Sequence, residues 1–171
     1  GGLDQLTSGG IFFGKENIAG FSSSQLCELR LRNIGFIFQA YNLIPILTVA
    51  ENVEYVMLLQ GVDPARRRKK SVEILAEVGL GGFEDRWPSK LSGGQQQRVA
   101  VARAIVSEPA LILADEPTAN LDSKTAASLM DLMASLNEQR KITFSFSSHD
   151  QLVLSRARRV VHLHDGQIVN S

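Results

Sequence analysis

One cysteine, Cys27, occurs in 171 residues, so no disulfide can form within the chain, which fits a reducing compartment. Neither sign of charge is in excess. Eighteen Lys and Arg balance eighteen Asp and Glu for a formal net charge of 0, which leaves no global attraction to a nucleic-acid backbone. Nucleic acid is therefore not an expected partner. No apolar run approaches the roughly 18–20 residues that a membrane-spanning helix requires. The opening GGLDQLTSGG has neither the basic region nor the apolar stretch of a secretory signal, so a cytoplasmic location is expected. Internal repeats and low-complexity tracts are also missing. What is present is ordinary for one globular domain with a sizeable core: 44% hydrophobic and 21% charged residues.

The chain alternates strand and helix signals, which predicts an α/β fold with a largely parallel sheet. Ile11–Phe13, within Gly10–Gly14, reads as a short strand in a hairpin. Ser22 or Ser23 can cap a helix over Gln25–Leu31, and Ile34–Phe38 is a short apolar strand. Thr48 can cap a helix through Glu51–Gln60, and Asp63-Pro64 opens a second helix running to about Val78, where Gly79, Gly81 and Gly82 stop it. Residues 41–88 thus read as a helical insert between α/β segments at 1–40 and 89–171. A third helix follows Gly93-Gly94 to about Val106, with apolar positions at Val99, Ala102 and Ile105 or Val106. Ala110–Ala114 is uninterrupted apolar, the pattern of a parallel strand buried on both faces. Leu129, Leu132, Met133 and Leu136 carry a helical period behind a cap at Asp122. Ile142–Ser147 is the next strand, and Val160–Val169 forms a hairpin about Asp165-Gly166.

Chemistry concentrates in four places. In Leu91–Arg98, LSGGQQQR, a serine and two glycines open a helix, whose start carries partial positive charge and orphan N–H donors suited to a phosphate. A glycine turn alone would be unremarkable there; the whole octamer is not. Asp115 and Glu116 end the apolar strand, where ligands of open α/β sheets gather. Asp115 is placed to hold Mg²⁺ through water and Glu116 to polarise an attacking water, although an acid after a strand often merely caps a helix. His149 and Gln39 likewise follow strands, within reach of a phosphate oxygen, a metal or the water.

Taken in order, these residues resemble the nucleotide-binding domain of ATP-binding cassette (ABC) transporters. Gln39 matches the Q-loop, Leu91–Gln95 the signature motif, Leu111–Glu116 the Walker B segment, Ala119–Asp122 the D-loop and His149 the switch histidine. The stretch GFIFQAYNLIPILTVAENVEY is similar to the lipoprotein-releasing and macrolide-export (LolD/MacB-like) branch. The resemblance implies a P-loop NTPase-like sheet with an inserted helical subdomain, and ATP and Mg²⁺ as cofactors. Catalytic roles fall to Glu116, His149 and Gln39, metal contact to Asp115 and Gln39, and nucleotide contact to Ser92, Gly93, Gly94, Gln95 and Asp122. The implied partners are a second nucleotide-binding subunit in a head-to-tail dimer and an integral-membrane permease. The implied location is peripheral, on the cytoplasmic face of the inner membrane.

The resemblance begins at GGLDQLTSG, which looks like the end of the family's Walker A helix and the turn beyond it; an adenine-stacking aromatic, the phosphate-binding lysine and the Mg²⁺-ligating Ser/Thr are not matched. Gly9–Lys15 fits G-x-x-x-x-G-K, but Glu16 replaces the Ser/Thr and Phe12-Phe13 are bulky where backbone must wrap phosphate, so a hairpin is expected instead. The chain alone is therefore expected to be inactive, less stable than a complete domain and inclined to associate. Two other readings remain: a non-catalytic module donating its signature motif to a partner's ATP site, and a soluble ABC ATPase unlinked to transport. The basic run Arg66–Lys70 reads as a solvated face, Trp87 as a core or hinge residue, and Cys27 as a packing residue. His162 and His164 share a strand face but have no third metal ligand.

Overall fold

The computed structural model describes residues 1–4 and 6–169. A two-strand hairpin, β1 (Phe12–Phe13) and β2 (Glu16–Asn17), precedes α1 (Ser23–Asn33) and β3 (Ile34–Ile37). Two helices come next, α2 (Val49–Leu59) and α3 (Pro64–Glu77), then a 3-10 turn at Pro88–Lys90 and α4 (Gly93–Ile105). The chain continues through β4 (Leu111–Asp115), α5 (Ser123–Arg140), β5 (Thr143–Ser147), α6 (Gln151–Arg156) and the hairpin β6 (His162–His164) with β7 (Gln167–Val169).

Helix starts obey side-chain chemistry. Ser22, Thr48 and Ser92 each accept from the third helical amide while Gln25, Glu51 and Gln95 reach back, three complete capping boxes. Asp63 caps α3 with Pro64 in its first turn, and Asp122 caps α5. Gly79 ends α3 at φ 77°, a left-handed conformation that glycine adopts without a Cβ penalty. Asp165 and Gly166 both have positive φ, 48° and 76°, as the predicted two-residue hairpin turn demands.

The central sheet is parallel in the order β3-β4-β5, with Gly35 opposite Ile112 and Ile112 opposite Phe144. Because side chains alternate along a strand, Ile37, Ile112 and Ala114 face one side with Phe144 and Phe146. That side is the core, packed against α4, α5 and the apolar faces of α2 and α3. Gly35 lets α4 come in close: a Cβ there would lie 2.5 Å from the Ala104 carbonyl oxygen. α4 is correspondingly buried around most of its circumference, from Val99 to Ile105.

The opposite face corrects the expectation for β4. Leu111 and Leu113 are only half-buried and Asp115 is exposed, so the strand is covered on one side. Phe36 and Phe38 stack 5.9 Å apart on that side, across Leu113 from the exposed Thr143, Ser145 and Ser147 of β5. A run of apolar residues says that a strand can be buried twice; whether a second layer arrives depends on the rest of the chain. Cys27 is exposed and α1 has no buried residue, which corrects the packing role expected of that cysteine. Trp87 is 47% exposed and is not a core residue. The basic run is more than a solvated face: Arg68 pairs with Glu54 and Asp85, Lys70 with Glu108, and Arg67 donates to the Val62 carbonyl.

Candidate active site

The loops after the three parallel strands lie side by side at the carboxyl end of the sheet, so the residues next in the chain meet there. Glu116 comes first after β4, in a left-handed conformation at φ 42° that a side-chain-bearing residue holds only when its surroundings insist. Its N–H donates to the Ser147 carbonyl at the end of β5. The loop is held further by Gln97, fully buried on α4, whose Nε2 donates to the Pro117 carbonyl at 2.7 Å. Thr118, also buried, donates to Asp150 at 2.9 Å.

The Glu116 carboxylate is thereby aimed at the β5 loop. Ser148 Oγ donates to one oxygen at 2.9 Å; His149 Nδ1 lies 2.6 Å from the other, and the His149 N–H donates to it at 3.3 Å. Burial pushes the Glu116 pKa up, but these hydrogen bonds outweigh it and bring the carboxyl below its ordinary value. The His149 ring is otherwise exposed, 90% accessible, which leaves its Nε2 facing solvent. Ser148 was not anticipated from the sequence. Its signal was adjacency alone: a hydroxyl beside a strand-end histidine, three residues before a helix.

Gln39 comes after β3 and is exposed; its carbonyl accepts from Asn120 Nδ2 at 2.9 Å, which ties it to the segment after Glu116. Asp115 ends β4 in register with Ser147 and is exposed. Among the described residues no group of three His, Cys, Asp or Glu forms a metal cluster. Mg²⁺ keeps most of its waters and takes one or two oxygen ligands from protein. Asp115 and Gln39 offer such oxygens.

At the start of α4, Ser92 and Gln95 are occupied by their own capping box, and Gly93 and Gly94 supply the first amides, outside the helical ladder. Both glycines also have steric reasons to be there. A Cβ on Gly93 would sit 2.9 Å from the Tyr41 hydroxyl oxygen, and one on Gly94 would overlap the Thr125 methyl. Asp122 is exposed and accepts from the Thr125 amide and hydroxyl; in this structure its carboxylate serves as the α5 cap.

Residues 1–119 match the family profile described as ABC transporter. The chain belongs to the ABC transporter family. It is 44% identical to the ABC transporter ATP-binding protein YtrE of Bacillus subtilis over 94% of this chain and 69% of that protein. It is 43% identical to the lipoprotein-releasing system ATP-binding protein LolD of Alcanivorax borkumensis over 97% of this chain and 73% of that protein. Among solved structures, the ATP-binding cassette MJ0796, a dimer in a post-hydrolysis state bound to ADP and Pi, superposes with a TM-score of 0.87. It is 39% identical, and the match covers 98% of this chain and 74% of that one. As in its family, the chain is an ATP-binding, α/β transport ATPase subunit by descent, and no helix among its described residues is long and apolar enough to cross a membrane.

Proposed function

We propose that this chain carries the catalytic and signature-motif chemistry of an ATPase subunit that drives a membrane permease of the lipoprotein-release or macrolide-export type. The observation that carries the reading is the Glu116 carboxylate, held by Ser148 and His149 where two parallel strands end. Phosphoryl transfer to water requires little covalent chemistry from protein; it requires a placed nucleophile and stabilised charge. Glu116 orients the attacking water and accepts its proton. His149, hydrogen-bonded through Nδ1, presents Nε2 to the leaving phosphate. Gln39 and Asp115 hold Mg²⁺, which when bound neutralises charge on the terminal phosphates.

Ser92, Gly93, Gly94 and Gln95, with Asp122 near them, serve a nucleotide across a head-to-tail dimer. The dimeric, ADP-bound relative supports that arrangement. The helical segment 41–88 and the exposed Gln39 tract face the permease, so that the subunit works at the cytoplasmic face of the inner membrane. The relatives named for lipoprotein release support that choice of partner.

The 171 residues alone bind ATP weakly and turn over none. Gly9–Lys15, the one stretch resembling a phosphate loop, is spent on the β1–β2 hairpin, with Phe13 opposite Glu16. The same fact favours a second reading, a half-site that completes a partner's nucleotide pocket. Titration with a fluorescent ATP analogue and Mg²⁺ tests the first statement: micromolar saturation of the isolated chain would overturn it. Mixing the chain with a full-length relative whose own signature motif is disabled tests the second. Restored hydrolysis supports a working half-site; continued silence rejects it.

A further inference from the structure

The tract after β3 is fastened to α4 at both ends of that helix. Tyr41 and Asn42 are consecutive residues in the left-handed region, at φ 60° and 49°, a conformation that costs each of them on the order of 1 kcal/mol or more. One side chain holds both. Arg103, in the last turn of α4, donates from Nη2 to the Tyr41 carbonyl at 2.8 Å and from Nη1 to the Asn42 carbonyl at 2.5 Å. From that backbone the Tyr41 side chain reaches the first residue of α4. A Cβ on Gly93 would stand 2.9 Å from the Tyr41 hydroxyl oxygen and 3.8 Å from the ring carbon that bears it.

We propose that Tyr41 is a positioning residue for the phosphate-facing start of α4, its ring acting as a strut between the Arg103-held backbone and the Cα of Gly93. The inference rests on the reading of Ser92–Gly94 as a phosphate site and adds the side chain that fixes it. Without the strut, the turn is held by its own capping box and by the seat of Gly94 against Thr125. Amides that bind developing charge act only where they are aimed, so looseness there lowers the rate of the chemical step more than it weakens ground-state binding. Gly93 acquires a second role as the residue that leaves room for the tyrosine.

Amide exchange in the unliganded chain tests the strut directly. The Gln95 and Gln96 N–H groups donate to the Ser92 hydroxyl and carbonyl and so report on the turn. Tyr41→Ala is expected to speed exchange at both about tenfold while α3 is unmoved, with Tyr41→Phe falling between; unchanged rates at Gln95 and Gln96 would overturn the proposal. Should Tyr41→Ala fail to fold, a steric pair decides instead. Gly93→Ala lowers the urea midpoint by collision with the hydroxyl, and adding Tyr41→Phe recovers at least half of the loss; no recovery rejects the contact.

In the mixed assembly with a signature-disabled relative, Tyr41→Ala lowers kcat about tenfold with KM within twofold. A change in KM alone rejects the positioning role. If the unaltered chain restores no hydrolysis, the phosphate-site reading fails, and the exchange rates still decide whether Tyr41 holds the turn.

Discussion

At the scale of single residues, Glu116 combines a strained backbone with a carboxylate held by three donors. Its folded-state pKa lies below the ordinary value of 4.5. The stability it contributes is therefore complete above the unfolded pKa and is lost as pH falls through the lower folded value. Glu51, Glu108 and Asp122 are shifted in the same direction, by hydrogen bonds from Thr48, Lys70 and Thr125. Thermal melts should accordingly fall below about pH 4.5, and Glu116→Gln should flatten part of that acid limb; an unaltered acid limb would show that the carboxylate contributes nothing to the fold. A second residue prediction concerns Gly94. Gly94→Ala should destabilise by roughly 1–3 kcal/mol through overpacking against Thr125. Adding Thr125→Ser removes the methyl and keeps the hydroxyl that bonds Asp122, so the urea midpoint should recover; if it does not, the glycine is required for another reason.

At the scale of elements, helix starts were the most legible part of the chain. Each depends on a side chain and an amide two or three positions away, and Thr48, Asp63 and Asp122 all cap as their positions suggest, while the pair Ser22 or Ser23 resolves to Ser22. Asp63→Ala should cost about 1 kcal/mol, read as a lower urea midpoint and faster exchange at Ala65 and Arg66, whose amides it accepts. What escaped the sequence is set by contacts between distant segments. Leu111 and Leu113 stay half-buried where their run of apolar neighbours implied full burial, and Cys27 and Trp87 lie at the surface. Arg103 was invisible as the clamp on Tyr41 and Asn42, 62 and 61 positions away in the chain. For the candidate site, strand ends pointed to Gln39, Asp115, Glu116 and His149, which the parallel topology brings to one edge of the sheet. Their hydrogen-bond partners Asn120 and Ser148 required coordinates.

At the scale of the whole molecule, one core serves α2, α3, α4 and α5, and the bidentate pair of Arg140 with Glu77 fastens α5 to α3 across it. Outside that core lie two sheet edges, β3 and β5, that pair with no further strand among the described residues, a half-open aromatic face, and a hairpin whose Leu163 and Ile168 are 70% and 71% exposed. Sedimentation should show concentration-dependent association, and Leu163→Lys with Ile168→Lys should reduce it without lowering the melting midpoint, because neither side chain is packed. A lowered midpoint would mean that the hairpin is seated on the core. The close crossing of β3 and α4 has a mechanical reading. The close approach of Gly35 to the Ala104 carbonyl makes that point the natural fulcrum for any tilt of the helix. Gly93 lies eleven residues away, about 16 Å at 1.5 Å per residue. Such a lever turns a rotation of about 10° into roughly 3 Å at the helix tip, the length of a single hydrogen bond.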